Sequence, residues 1–599
     1  MSTASTKSSS KQQANRSKAP ANGGRGADPT SAGSSEVIDE RTWFIAVTAI
    51  LLLAAILRLY DLNLVPLHHD EGVNGNFLVR LVRDGYYHYD PANYHGPTLY
   101  YFAAVVAWIL RPFVGANASL TTTGIRLIPA LFGLATIALV FTLRRNLGTI
   151  ATLSAAFFLA VSPGAIYLSR YFIHETLFVF FTLGLVVASL KYFEDLNPAY
   201  LILAAISAAL LFATKETAMI SVGVLVIALV VTQVYRLLWR SVGGTTNQKK
   251  RRTGDYRTFF EKAGGSSKLT VWVVIALAVF VSVYVLFYSS FFTNYPQGVY
   301  DSLKTFQIWT KTGQEAHKHP PATYIWWLLE QESPLLVLGA LGAVVAVLKP
   351  TKSFALFSAL WAFGLIAAYS LIAYKTPWLS LNFIVPLALI SGVAIDWFYE
   401  ELTRWQVSKQ VRWYAVAGLL LVAIGPLAGM ARIFDEVAFE VSAETFKGLI
   451  SVPVHWKTFI PGYQTIDLNF LNYDNDNRYY VYVYAHTRRE TLKLLDEIDK
   501  VAERTHQGKD TGITIVSADY WPLPWYLRNY TRVGYFGRMT PSNEPIIIAS
   551  ESQRGEIEST FGQLYQQVPS GNASGSFPLR PGVNLLLYVR RDGANLFSS

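Results

Sequence analysis

Residues 96–113, GPTLYYFAAVVAWILRPF, decide how this chain is threaded. They are apolar enough to read as a membrane helix, yet they open on Gly-Pro and follow a loop crowded with histidine, tyrosine and acid. Further apolar runs lie near 43–60, 124–143, 148–167, 172–193, 199–214, 217–237, 270–292, 326–348, 353–373, 376–397 and 412–431. If all twelve cross a bilayer, the basic loops LRRN (143–146) and NQKKRR (247–252) face outside, against the preference of Lys and Arg for the cytoplasmic side. If 98–113 is re-entrant or interfacial, those loops join LKPTK (348–352) and RWQVSKQVR (404–412) inside, with the N-terminus. The charge sorting therefore predicts about eleven transmembrane helices.

Composition agrees with a polytopic membrane protein. The 599 residues are 52% hydrophobic and only 15% charged, where soluble domains carry about a quarter charged residues. Runs such as WFIAVTAILLLAAIL (43–57) approach the roughly 20 residues that a hydrocarbon core of about 30 Å requires. There is no cysteine, so disulfides and thiolate metal sites are ruled out. The net charge of +10 resides largely in loops between spans and reads as a topology signal, with no nucleic-acid partner implied. Residues 1–40 are rich in Ser, Ala, Gly and Lys and are expected to form a disordered cytoplasmic tail. Residues 41–431 form the membrane domain. From 432 to 599 the composition turns soluble, with β-like runs (YYVYVYA, TGITIVS, EPIIIAS, NLLLYVRR) around a helical stretch, which predicts an extracytoplasmic α/β domain.

Eleven spans bring five charged clusters to one face: the loop 67–102 with its HHDEG motif, YLSRYFIHE (167–175), ATKET (213–217), the loop 295–321 and YKTPWL (374–379). One cation at a helix end is an ordinary snorkelling residue. Both charge signs plus histidine, repeated on one face, point to a single cleft, because ionisable groups near membrane depth are costly unless they face a cavity or each other. The cleft's parts are Asp70, Glu71, His68, His69, His95, His174, Arg170, Lys215 and Lys375. A carboxylate can serve as general base toward a hydroxyl, and several cations can stabilise a departing phosphate. Together they suit group transfer from a phosphate-linked lipid donor. The competing class is a lipid-glycan flippase whose charged cleft conducts a headgroup. No similarity between the two halves of the chain supports that reading.

The order of these motifs resembles the GT-C glycosyltransferases, membrane enzymes that take sugars from polyprenyl-phosphate carriers and include protein mannosyltransferases and aminoarabinose transferases. HHDEG matches their acidic pair after the first span, and YHGPTLYY (94–101) resembles their His-Pro-Pro-Leu box with Gly96 for the first proline. HHDE, YDPANYHGP, ATKET and YKTPWL look most like an archaeal-type subfamily associated with flippase activity. The resemblance covers residues 43–430 and implies Asp70 as catalytic base with Glu71 as partner or alternate. It further implies His69 and His95 at the substrate, and Arg170, Lys215 and Lys375 at the carrier phosphate. His174 and Glu175 stand where oligosaccharyltransferases hold a divalent cation, so a bound cation is possible there; an interfacial hydrogen-bonded pair is the alternative. The expected partners are a polyprenyl-phosphate-linked sugar, a glycan, lipid or protein acceptor, and the bilayer. DYWPLPWYLRNY (519–530) is expected either as a proline-broken core strand or as an aromatic element over the cleft.

Overall fold

A computed structural model describes residues 38–591 apart from 94, 243–260, 263, 313–317, 350–351, 432–455, 477–479 and 573. The expected N-terminal tail and the NQKKRR loop lie outside the described residues. The chain is mostly helical, beginning α1 (Glu40–Leu59), α2 (His69–Arg83), α3 (Thr98–Ala118), α4 (Thr122–Phe141), α5 (Arg144–Leu147), α6 (Thr149–Val161), α7 (Pro163–Ser169), α8 (Glu175–Asp195), α9 (Pro198–Phe212) and α10 (Ala218–Val242). Gly265–Tyr288, Thr323–Leu348, Ser353–Leu371, Leu381–Arg404 and Lys409–Val422 complete the bundle. Pro163 breaks α6 from α7 with a 60° bend, because a proline can open a helix but cannot continue one. Leu381–Arg404 is the central helix and is buried over most of its length. Close approach there needs small residues: a Cβ on Gly342 would lie 2.0 Å from the Ile390 carbonyl oxygen.

Polar contacts sort the helix ends onto two faces. On one, Arg144 donates to Glu40 at 2.7 Å and Asn146 to Glu194 at 2.6 Å, while Lys352 bridges Asp396 at 2.6 Å and Glu400 at 2.8 Å. On the other, the Gly96 N–H donates to the Thr214 carbonyl at 3.0 Å and the His319 N–H to the Ala373 carbonyl at 3.1 Å. Helix α3 has both ends on this second face. Its Thr98 N–H donates to Ala213 at 3.3 Å. Past its other end, one turn into α4, Arg126 donates to the Leu62 and Val65 carbonyls at 2.9 and 2.7 Å. By length and composition Thr98–Gly115 qualifies as a span, but a helix that starts and finishes on one face lies along it. α9 behaves in the opposite way. Its 15 residues cover only about 22 Å, yet it joins the Glu194 face to the Thr214 face. With the bent α6–α7 pair as one span, α9 crossing and α3 lying flat, eleven crossings connect the two faces among the described residues.

The C-terminal region carries a six-stranded mixed sheet ordered β2-β1-β3-β6-β4, with β5 paired to β6. Its strands are β1 (Ile513–Ile515), β2 (Val533–Tyr535), β3 (Ile546–Ser550), β4 (Tyr565–Gln567), β5 (Phe577–Arg580) and β6 (Val583–Arg590). β1 runs parallel to β2 and β3, and the remaining pairs are antiparallel. Leu494, Ile498 and Val501 of the strongly amphipathic helix Thr491–Arg504 pack on one side of it. The sheet's own core begins later than the composition shift at 432 suggested. Leu468, Tyr473, Tyr480, Tyr482 and Val483 belong to the bundle's core, and the Gly462 N–H donates to the Ile424 carbonyl at 3.1 Å. The described part of 456–487 is thus a polar-looking segment that packs as part of the membrane domain, and the described residues 480–485 of YYVYVYA form no strand.

Candidate active site

Helix α2 starts with an unusual cap. His68 is the N-cap residue: its Nδ1 accepts from the Asp70 N–H at 3.0 Å, and its own N–H donates to Glu71 at 3.0 Å, closing a capping box. Its Nε2 donates to the Tyr484 carbonyl at 3.0 Å, so both ring nitrogens are engaged and the ring orientation is fixed. This cap aims the two neighbouring acids in different directions. Glu71 is fully buried and bound bidentately by Arg126, at 2.7 Å from Nε and 2.6 Å from Nη2; it also accepts from the Phe172 N–H at 2.8 Å. Every lone pair on that side is engaged, so Glu71 is a structural anchor and not an alternate base. The Asp70 carboxylate is 40% exposed and comes to 3.9 Å from the His68 Nδ1, whose lone pair is already taken by the Asp70 N–H.

A second group of motif residues interlocks beside this helix. Lys215 pairs with Glu175, both buried, while His95 Nδ1 lies 3.2 Å from Glu216. His174 Nε2 donates to the Gly96 carbonyl at 3.0 Å, and its ring lies 4.9 Å from that of His95. Gly96 is required here, because a Cβ would fall 2.0 Å from the Ala213 carbonyl oxygen. Burial depresses the His174 imidazole well below its ordinary value, with His95 and Lys215 adding to the effect. The Tyr374 hydroxyl is pushed up to about 12, mainly by burial, and it feels Lys215, Asp70, Glu216 and Glu175 together. The Asp70 and Lys215 groups are thus both within electrostatic range of one hydroxyl.

The predicted phosphate contacts have other partners. Arg170 caps the C-terminus of α1, donating to the Tyr60 and Asp61 carbonyls, the latter at 2.9 Å, with its guanidinium over the Phe470 ring. Lys375 donates to the Ser370 carbonyl at 3.2 Å and to that of Ile372, capping Ser353–Leu371 in the same way. Exposed Lys318 is bridged through its backbone to Tyr374, adjacent to Lys375. The pairing of His174 and Glu175 as metal ligands also fails a fit test. Glu175 is committed to Lys215 and His174 to a carbonyl, and among the described residues no three His, Cys, Asp or Glu side chains are arranged to hold a metal.

The C-terminal domain closes the cleft's far wall. DYWPLPWYLRNY is neither a strand nor a free flap: it turns through a short helix, Leu523–Tyr526, and seats on α2. Gly72 and Gly75 form the notch, since a Cβ would stand 2.6 Å from Pro522 Cβ at the first and 2.6 Å from the Trp525 ring at the second. The Tyr526 hydroxyl accepts from the Leu67 N–H at 2.7 Å, and Arg83 binds the Asn529 side chain at 2.6 Å. His486 is buried and stacks on His68 with ring centroids 5.4 Å apart. Arg126, His486 and Arg580 are site residues that the sequence reading missed. Arg126 was findable, as a cation inside an apolar run; His486 and Arg580 carry no local signal.

Residues 102–245 match the dolichyl-phosphate-mannose-protein mannosyltransferase family. The structure superposes on ArnT of Cupriavidus metallidurans bound to undecaprenyl phosphate with a TM-score of 0.55, 15% identity, and coverage of 92% of this chain and 98% of that one. It superposes on apo ArnT from the same organism with a TM-score of 0.51, 16% identity, and coverage of 91% and 98%. The chain has the fold of the GT-C membrane glycosyltransferases. The apo oligosaccharyltransferase of Archaeoglobus fulgidus is a more distant match, with a TM-score of 0.48, 14% identity, and coverage of 86% and 70%. No curated protein sequence matches the chain. The GT-C resemblance first read from HHDEG, YHGPTLYY and ATKET therefore holds at the level of the fold, and the chain is a multi-pass membrane protein.

Proposed function

We propose that this GT-C chain transfers a sugar from a polyprenyl-phosphate carrier to an acceptor hydroxyl, with Asp70 as the general base. The observation that carries the reading is the division of labour among the cleft's acids. Glu71, Glu175 and Glu216 are held by Arg126, Lys215 and His95, while the Asp70 carboxylate is 40% exposed and, among the described residues, has no Lys or Arg at ion-pair distance. The acceptor oxygen forms its bond to the anomeric carbon as Asp70 takes its proton. The bond from that carbon to the carrier phosphate breaks, and the phosphate leaves with the electron pair. A single displacement of this kind inverts the anomeric centre. Lys375 and Lys318, next to and bridged to Tyr374, are the cations assigned to the departing phosphate, where Lys375 exchanges a neutral carbonyl for a charged oxygen. The carrier found with ArnT, undecaprenyl phosphate, supports a polyprenyl phosphate as the leaving group. The cleft is assigned to the extracytoplasmic side because Arg144, Arg145, Lys349 and Lys352 all lie at the opposite face.

The test is Asp70→Asn in membranes supplied with labelled polyprenyl-phosphate sugar. General-base loss costs about 100- to 10,000-fold in rate, and carrier binding stays intact because its contacts lie on other residues. Near-normal turnover in Asp70→Asn removes the base assignment and brings the flippase reading forward.

A further inference from the structure

Four side chains from two domains meet beside Asp70 and take no part in the base or phosphate roles. Arg580, at the end of β5, pairs with Asp519, and its other terminal nitrogen lies 3.5 Å from His69 Nδ1. The Trp521 ring stands 6.1 Å from that of His69 and 5.7 Å from Tyr520. His69 adjoins Asp70 in the first turn of α2, so this group borders the base directly. Asp519 is half exposed and Arg580 is 19% exposed, which leaves polar atoms of both facing solvent at the mouth of the cleft. His69 is partly buried and feels Asp70, Arg580 and Asp519 at once, which ties the cluster together as one site.

The chemistry of the group selects its ligand. Arg580 and Asp519 cancel in charge while offering donors and acceptors in a fixed arrangement, which matches vicinal hydroxyls. The indole beside them supplies an apolar face for a ring's C–H edge. A second phosphate or another anion would meet Asp519 and Asp70 together and is disfavoured by both. We propose that Arg580, Asp519, His69 and Trp521 form a binding subsite for a neutral sugar ring, so that the acceptor presented to Asp70 is itself a carbohydrate. This rests on the glycosyltransferase reading and names its acceptor class. It also gives the C-terminal domain a substrate role, since three of the four residues come from it.

The test is direct binding, independent of turnover. The full-length protein in nanodiscs is presented with methyl α-mannopyranoside, methyl β-galactopyranoside and a blocked Ser/Thr tripeptide, and saturation-transfer NMR reads the ligand protons. The expected result is saturation of pyranoside ring protons, weakened about tenfold or more in affinity by Arg580→Ala and by Asp519→Asn, the scale of one lost charge-assisted hydrogen bond. Binding of undecaprenyl phosphate should be unchanged in both variants, which establishes that they are folded. Saturation of the tripeptide in place of the pyranosides overturns the proposal in favour of a peptide acceptor. Pyranoside binding unaffected by either substitution overturns it as well and leaves the pair as an ionic lock between domains. Sugar binding that survives while Asp70→Asn turns over normally retires the proposed reaction without touching the subsite.

Discussion

The two faces of the bundle use charge in contrasting ways. At the Glu40 face pairs such as Lys349 with Glu400 and Arg144 with Glu40 are partly solvated, each with a partner more than a third exposed, while Lys352 holds the more buried Asp396. At the cleft face Glu71–Arg126 and Glu175–Lys215 are sealed from solvent. Solvated pairs contribute little, since water and salt screen them and long side chains lose entropy to hold them. Sealed pairs tolerate no loss of a partner, because the survivor is left as an uncompensated buried charge. A cleft that must expose one acid therefore fixes its neighbours rigidly, and the opposite face needs no such rigidity.

The strongest way to break this contrast is Glu71→Ala, which strands Arg126 and frees the Phe172 and His68 N–H groups. A loss of about 3–5 kcal/mol is expected, read as a fall in melting temperature in detergent, while Asp70→Asn, one residue away, melts like the parent. Equal stability of the two variants would mean that Glu71 is not the anchor.

An intermediate effect comes from pH. Burial, reinforced by His68, Arg126 and Arg488, holds His486 well below the ordinary histidine value. Its unfolded pKa is about 6.5. The folded chain resists a proton that the unfolded chain accepts, so this contribution is complete above that pH and is lost as the pH falls below it. Packing of the segment around His486 against the start of α2 should loosen between about pH 6.5 and 5, seen as faster proteolysis near residues 480–490, and His486→Phe should flatten the profile. An unchanged profile in His486→Phe would assign the pH dependence to other groups.

The smallest effect is expected at the opposite face. Lys349→Ala, which removes a partner from the partly exposed Glu400, should cost about 0–1 kcal/mol and leave the melting temperature nearly unmoved. A loss as large as that of Glu71→Ala would erase the distinction between the faces.

Some of the cleft was legible before any coordinates. Side and charge group Asp70, Lys215, Glu175, His95 and His174, and the structure brings His95 beside His174 and Lys215 onto Glu175. The partners of the cations were not legible. Arg170 and Lys375 read as phosphate contacts because they are cations at span ends; each also caps the carbonyls of a helix C-terminus, a role that depends on which helix ends nearby. Glu71 was treated as interchangeable with Asp70 because the two are adjacent and alike. The N-cap at His68 starts a helix there and turns the two carboxylates apart.

By itself the sequence determined the apolar runs, the sorting of basic loops and the crowding of titratable groups on one face, because hydrophobicity and charge belong to each residue wherever it ends up. Tertiary structure alone decided that Glu71 is locked by Arg126 while Asp70 stays part-exposed, that Leu67 binds Tyr526 and that Arg580 reaches His69. Those depend on approach between segments far apart in the chain: Glu71 meets Arg126 across 55 residues, Leu67 meets Tyr526 across 459, and Arg580 meets His69 across 511. A hydrogen bond or ion pair is a property of two groups at once, and its partner is chosen only when packing brings those segments together.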